Sequence, residues 1–310
     1  MTIKGAPDVL IDRCSHFVSN SGVEQPFDTA IRTSFEEMKD TYSSQGKRCI
    51  LLARKVIRKA DVKAGPGWTA YETEMTEQAK TGLTLVGLVA IVDPLRPEIR
   101  DVVSVLRGAG IRIFMVTGDF ALTALAIAQD AGIVSVPSSA VHKVSDLPRQ
   151  GSDQDSNSGS SQNKDADVAG TGRHSIVISG PEMFHLSDYQ WKVLTQYREI
   201  VFARTTPEQK LRIVREFQKD NVVGMTGDGV NDAPSLKAAD IGIALGSGSD
   251  IAIEAADMVL LESFAGVVEA VKYGRVVFDN LKKVIAYLLP AGRLVIPFTP
   301  FTFVQTLRRC

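Results

Sequence analysis

The chain has 310 residues, enough for about two domains, and 44% of them are hydrophobic, so it can bury substantial cores. Its formal net charge of −1 argues against nucleic acid as a partner, because phosphate backbones attract strongly basic surfaces. The three cysteines show neither metal-binding nor disulfide spacing, which is typical of free thiols in a reducing compartment.

The first part of the chain has the pattern of a mixed α/β domain. Residues 29–44 place apolar side chains on one helical face, and residues 48–57 have the composition of a strand. Residues 63–68 are rich in glycine and proline and predict a loop.

From residue 83 onward, apolar strands alternate with helices. Such alternation predicts a parallel sheet covered on both faces, with ligands at the carboxyl ends of its strands. The predicted strands are 83–92, 111–116, 176–179, 200–203, 222–225, 241–244 and 258–261, and the predicted helices are 97–108, 121–131 and 207–218.

Two segments depart from this pattern. Residues 150–172 consist mainly of Ser, Asp, Gly and Asn and predict a mobile insertion. No apolar strand precedes the D-x-D pairs within it, so these pairs indicate a solvated loop rather than a phosphatase nucleophile. Residues 284–304 form an apolar run long enough to cross a bilayer. Its prolines and Arg293 leave a buried helix with an irregular tail as the alternative.

Three short polar segments that follow strands could contact phosphate. Thr117-Gly118-Asp119 offers a hydroxyl and backbone amides, although an ordinary strand-to-helix turn has the same pattern. In RTTPEQK at residues 204–210, Lys210 lies one turn into a helix and is either phosphate-directed or a solvated helix-face lysine. GSGSD at residues 246–250 predicts a tight turn into a helix rather than a dinucleotide-binding loop.

The segment TGDGVNDAP at residues 226–234 is more specific. Its glycines permit a sharp turn, after which Asp228, Asn231 and Asp232 bring oxygen-bearing side chains to one strand end. Two close carboxylates repel each other unless a cation or hydrogen-bond donors offset the charge. Hard oxygen ligands suit Mg²⁺ that also binds phosphate, so the segment predicts a magnesium site.

Taken in order, these segments resemble P-type cation-transporting ATPases. TGDGVNDAP resembles the family's hinge-and-magnesium motif, and Thr117-Gly118-Asp119 resembles its TGD motif. KGAPD at residues 4–8 resembles the KGAPE motif of the nucleotide domain, and DPLR at residues 93–96 resembles the DPPR hinge. GKRC at 46–49 resembles the strand whose arginine contacts the nucleotide phosphates. Residues 200–210 and 274–283 resemble the sodium/potassium-pump subgroup of the family, and residues 288–292 resemble the fungal members of that subgroup.

The resemblance implies an α/β fold with a haloacid-dehalogenase-like parallel sheet. Residues 1–92 would form part of a nucleotide-binding domain, 93–270 the phosphorylation domain, and 271–310 a stalk and truncated transmembrane segment. ATP and Mg²⁺ would be its ligands, a cation would be the cargo of the full-length pump, and the C-terminal segment would contact the membrane. Residues 1–280 would lie on the cytoplasmic side.

The resemblance also implies roles for single residues. Asp228 would hold Mg²⁺, with Asn231 and Asp232 in support; Thr117 would bind the transferred phosphoryl group, and Lys210 would neutralise its charge. Positioning and charge neutralisation are most of what phosphoryl transfer needs. The nucleotide-binding residues would be Lys4 and Gly5 in the adenine pocket, Arg48 at the polyphosphate, Arg204 on the ribose side, and Arg96, Gly118 and Asp119 nearby.

Two features depart from the family. Its D-K-T-G-T segment, which carries the phosphorylated aspartate, does not occur in the 310 residues, and residues 293–310 lack the family's pattern, which predicts a premature or misread terminus. We therefore expect the ATP-binding and phosphorylation-domain portion of a pump, without the nucleophile.

A non-catalytic nucleotide-binding or regulatory module is the alternative, because it would also keep Lys4 and Arg48. A soluble phosphatase would need D-x-D-x-T after an apolar strand, which the sequence lacks.

Overall fold

The computed structural model describes residues 1–58, 61–63, 65–148 and 174–292. The predicted insertion at 150–172 and the tail beyond 292 lie outside the described residues. Residues Met1–Leu261 form one compact unit, and the residues from Glu262 onward form a second.

A mixed five-stranded sheet and three helices make up the N-terminal part. The strands are β1 (Thr2–Gly5), β2 (Cys14–Val18), β3 (Glu24–Pro26), β4 (Arg48–Arg54) and β5 (Leu83–Ile91), and the helices are α1 (Pro7–Leu10), α2 (Thr29–Ser44) and α3 (Thr69–Gln78). The strand order in the sheet is β1-β4-β5-β2-β3, and its pairs are antiparallel except for β2 with β5. One face of the sheet buries a core of residues such as Leu51, Leu83 and Leu85 beneath the short helix α1.

The strands after residue 110 form two parallel three-stranded sheets, whereas the sequence predicted a single parallel sheet. The strands are β6 (Met115–Val116), β7 (Ser175–Ser179), β8 (Glu199–Ala203), β9 (Gly224–Gly227), β10 (Ile241–Leu245) and β11 (Met258–Leu260). Their orders are β6-β8-β7 and β11-β10-β9, so β6 and β9 lie at sheet edges, and each is followed by a segment predicted to contact phosphate. The helices are α4 (Ile99–Gly108), α5 (Ala121–Asp130), α6 (Gly180–Met183), α7 (Asp188–Leu194), α8 (Pro207–Gln218), α9 (Ala233–Ala238) and α10 (Asp250–Ala255).

β5 differs from the prediction of a buried strand. Only its first three residues are buried, whereas Val86, Val89 and Ile91 are more than 40% exposed. It belongs to the N-terminal sheet, whose second face carries these side chains. The start of the strand–helix alternation therefore falls after β5 rather than at residue 83.

The second unit contains one long helix, α11 (Gly266–Gly292). The apolar run predicted at 284–304 begins in α11 and continues beyond the described residues. Among the helices that the structure describes, none has both the length and the apolar character needed to cross a bilayer.

Candidate active site

The turn after β6 holds the first predicted phosphate ligand. The Thr117 N–H donates to the carbonyl oxygen of Phe202 at 2.9 Å, which extends the pairing of β6 with β8. The Thr117 hydroxyl donates to the Asp119 carboxylate at 3.1 Å and accepts from the Asp119 N–H at 3.2 Å. These bonds close the turn and fix the hydroxyl at the carboxyl end of the strand.

Arg48 reaches this turn from the N-terminal sheet. Its Nε and Nη2 atoms donate to the two carboxylate oxygens of Asp119 at 2.8 and 2.9 Å. Hydrogen bonding to Asp119 and the charge of that carboxylate raise the pKa of Arg48. Two hydrogen bonds from one guanidinium to one carboxylate are the bidentate geometry in which arginine also binds phosphate groups.

Arg204 approaches the same turn from the end of β8. Its N–H donates to the Asp119 carbonyl oxygen at 2.9 Å, and its guanidinium lies 5.1 Å from the centroid of the Phe120 ring. The guanidinium also pairs with the carboxylate of Asp8, which is 196 residues away in the sequence. Asp8 and Arg48 therefore connect the N-terminal sheet to the loops of the parallel sheets.

Lys210 on α8 and Asp232 in the loop after β9 form a partly buried ion pair. Their Nζ and Oδ1 atoms are 2.6 Å apart, and the side chains are 14% and 12% exposed. Gly227 leaves room for Asp232, since a Cβ at residue 227 would lie 2.6 Å from the Asp232 Cβ. The chain that leads into α8 is anchored at the Thr117 turn, because the Thr205 hydroxyl donates to the Thr117 carbonyl oxygen at 3.0 Å.

Asp228 and Asn231 lie at the carboxyl end of β9 with exposed side chains. Within the described residues, no hydrogen bond or ion pair engages the Asp228 carboxylate, and no group of three or more His, Cys, Asp and Glu is placed to hold a metal. The available donors are therefore a carboxylate and an amide oxygen. This set fits Mg²⁺, which keeps several waters and takes one or two carboxylates together with phosphate oxygens.

Two family models match the chain. One, described as P-type ATPase, cytoplasmic domain N, matches residues 1–98, and another, described as haloacid dehalogenase-like hydrolase, matches residues 210–271. The potassium-transporting ATPase alpha chain 2 of Homo sapiens is 40% identical over 293 residues, which are 93% of this chain and 27% of that protein.

The chain belongs to the P-type ATPase family. A second relative, the sodium/potassium-transporting ATPase subunit alpha-4 of Rattus norvegicus, is 38% identical over 309 residues, covering 97% of this chain and 28% of that protein. The resemblance and the haloacid-dehalogenase-like fold expected from the motifs are thus confirmed. This P-type ATPase chain spans about a quarter of the length of the relatives it matches.

The structure brings some of the predicted site residues of this P-type ATPase chain together and leaves others apart. Arg48, Thr117, Asp119 and Arg204 meet at one turn, with Gly118 inside it. Lys4 lies on β1 opposite Leu52, with Gly5 next to it, and Arg96 lies exposed in the loop before α4.

The sequence did not reveal two pairings. Asp8 was noted only as the last residue of KGAPD, and its pairing with Arg204 has no local signal. Asp232 was predicted to support the metal, but its Oδ1 accepts from Lys210 and its Oδ2 from the Gly229 N–H. Both pairings arise from tertiary contacts between distant segments.

Proposed function

We propose that this chain is the ATP-binding and phosphoryl-transfer portion of a P-type ATPase that moves a cation across a membrane. The observation that carries the proposal is the meeting of Arg48 and Arg204 at the Thr117 turn, with Lys210 one turn into the helix that follows Arg204. The relatives are named as potassium- and sodium/potassium-transporting ATPases, which supports a cation as the cargo of the whole protein.

The second face of the N-terminal sheet supports a nucleotide pocket. Lys4 pairs across strands with Leu52, and Arg48 lies four residues before Leu52 on the same strand, so the three side chains share one face. Exposed Val89 and Ile91 lie on neighbouring β5. An apolar strip between two cations suits a base at one end and phosphates at the other.

Each residue of the site would then have a separate role toward the phosphates of ATP. Arg48 and Arg204 bind and orient the nucleotide, the Thr117 hydroxyl donates to a phosphoryl oxygen, and Lys210 offsets its charge. Bound at Asp228 and Asn231, Mg²⁺ would neutralise charge on the phosphate oxygens. Asp232 would support this metal site through Lys210, whose Nζ lies 2.6 Å from the Asp232 Oδ1 atom.

In the whole protein, we place residues 1–280 on the cytoplasmic side and the C-terminal segment at the membrane. A non-catalytic nucleotide-binding or regulatory module is the second candidate, favoured by the lack of D-K-T-G-T in the 310 residues. Both candidates require ATP binding, and they differ in whether a phosphoenzyme forms once that segment is supplied.

Calorimetric titration of the chain with ATP and Mg²⁺ tests the shared requirement. We expect a Kd of about 0.1–1 mM, because much of the pocket is open to solvent. Lys4→Ala and Arg48→Ala should each weaken binding by about three- to tenfold, since each removes a cation that faces the nucleotide.

Arg32→Ala is the control for Arg48→Ala. Arg32 pairs with Asp12 and Glu36 and lies on α2, whose Phe35 packs against the core on the opposite face of the sheet. Its loss should leave ATP affinity unchanged. Equal affinity in wild type, Lys4→Ala and Arg48→Ala would refute the pocket.

A further inference from the structure

The segment Gly246-Ser247-Gly248-Ser249-Asp250, here called the 246–250 turn, has no role in the site described so far. It connects β10 to α10. The Gly246 N–H donates to the Leu260 carbonyl oxygen at 2.7 Å, and the Gly248 N–H donates to the Leu245 carbonyl oxygen at 2.8 Å. The turn is therefore anchored to the sheet at both of its glycines.

The 246–250 turn contacts the backbone of Asp228. The Ser249 N–H donates to the Asp228 carbonyl oxygen at 2.8 Å. Gly248 packs so closely that a Cβ there would lie 2.8 Å from that oxygen and 3.0 Å from the Asp228 Cα. Any side chain at residue 248 would therefore push on the Asp228 backbone.

Asp228 needs such an external contact because glycines flank it on both sides, at 227 and 229. Glycine gives the backbone unusual conformational freedom, so the chain around Asp228 does not fix the carboxylate direction by itself. The only hydrogen bond that the described residues give Asp228 beyond its own loop is the one from Ser249.

We propose that Gly248 and Ser249 are positioning residues for Asp228, which hold its backbone so that the carboxylate faces the metal position beside the Lys210–Asp232 pair. The proposal rests on the proposed magnesium role of Asp228. Groups that orient a metal ligand from behind commonly change metal affinity when they are lost.

Binding of Mn²⁺ to the full chain, measured by electron paramagnetic resonance, tests this proposal without any need for activity. Gly248→Ala should weaken Mn²⁺ binding by about tenfold. Gly246→Ala is a control in the same turn, because the nearest atoms to its new Cβ would be backbone atoms of Leu260 and Leu261 at 3.2–3.4 Å rather than Asp228. This crowding is milder than at residue 248 and lies away from the metal residue, so the variant should bind within about twofold of wild type.

A second pair of variants decides the question if Gly248→Ala does not fold. Ser249 has φ of −72°, which proline can adopt, so Ser249→Pro removes the N–H and places a ring carbon against the Asp228 carbonyl oxygen. Ser249→Ala keeps the N–H and loses only the hydroxyl that caps α10. We expect Ser249→Pro to bind Mn²⁺ about tenfold more weakly than Ser249→Ala.

The possible results distinguish a failure of the positioning proposal from a failure of the proposed magnesium role of Asp228. If Asp228→Asn abolishes Mn²⁺ binding while Gly248→Ala and Ser249→Pro match their controls, the positioning role is wrong and the metal site stands. If the wild type does not bind Mn²⁺, or Asp228→Asn binds it as well as the wild type, the metal role of Asp228 fails and the positioning proposal fails with it.

Discussion

At the scale of single residues, Arg204 has an unusual backbone. It is the only non-glycine residue among those described with a positive φ, at 51°. This left-handed conformation costs an L-residue about 1–2 kcal/mol, whereas glycine adopts it freely. Arg204→Gly should therefore unfold in urea with a free energy about 1 kcal/mol higher than Arg204→Ala, although both lose the pair with Asp8.

The same two replacements at Arg212, inside α8, should have the opposite order. A helix interior favours alanine over glycine by about 1 kcal/mol, so Arg212→Ala should be the more stable variant there. If alanine and glycine give equal stability at residue 204, the conformation of Arg204 is not strained.

The sequence identified the chemistry of the site better than its contacts. The positions of Thr117, Lys210 and Asp228 after strands could be predicted, because strand ends and phosphate-type motifs are local patterns. That Asp119 holds Arg48, and Asp232 holds Lys210, could not be predicted. Each pairing depends on how separate elements approach one another, and residue spacing carries no such information.

At the scale of elements, prediction succeeded where periodicity was strong. The bounds of α2 agree with the prediction of 29–44, and α8 agrees with 207–218. Among the described residues, the strand predicted at 111–116 is paired with β8 only at Met115 and Val116. The strand predicted at 222–225 begins at Gly224 instead, where pairing with β10 starts, and Val222 is 83% exposed.

Glu199, the first residue of β8, is a carboxylate that contacts β7, α4 and the loop after α5. It is 1% exposed and accepts from Ser175 and from the Ser135 N–H, while Arg107 lies 3.0 Å away. Burial raises its pKa, but the hydrogen bonds and the Arg107 charge outweigh this and lower the pKa below the ordinary 4.5. Because the folded pKa is the lower one, ionised Glu199 stabilises the fold above about pH 4.5, and this stability is lost as pH falls through the folded pKa.

Glu199→Gln should therefore lower the free energy of unfolding by about 2 kcal/mol at pH 7, since it leaves Arg107 without its charged partner. The gap between the variant and the wild type should narrow as pH falls below 4.5, the ordinary value. Urea unfolding at several pH values measures both effects. Glu77→Gln, which removes an exposed pair with Lys80, should change stability by less than about 0.5 kcal/mol at any pH. A pH-independent gap at Glu199 would contradict the assigned role of its charge.

At the scale of the first unit, the hydrophobic cores are separate. The N-terminal core uses side chains such as Leu51 and Leu83, whereas the cores of the parallel sheets are built from later residues such as Trp191 and Phe202. The links between these parts include the pairs Arg48–Asp119 and Arg204–Asp8. Exposed pairs of this kind contribute at most about 1 kcal/mol each. A further link is the hydrogen bond from the Thr123 hydroxyl to the Lys47 carbonyl oxygen at 3.3 Å, and α2 packs against α5.

We expect the wild type to unfold both parts together and a double variant, Asp8→Asn with Asp119→Asn, to unfold the N-terminal core first. Two probes separate the parts in a background that carries Cys14→Ser, Cys310→Ser and Trp68→Phe. Cys49 is buried in the N-terminal sheet, and Trp191 is buried against the parallel sheets. Thiol labelling of Cys49 and fluorescence of Trp191 should give one urea midpoint in the wild type. In the double variant, Cys49 should become reactive at a lower urea concentration, because losing both pairs weakens the link without touching either core.

Asp12→Asn serves as the control, since its pair with Arg32 lies wholly within the N-terminal part. Coincident midpoints in the double variant would mean that other contacts, such as the packing of α2 against α5, hold the parts together instead.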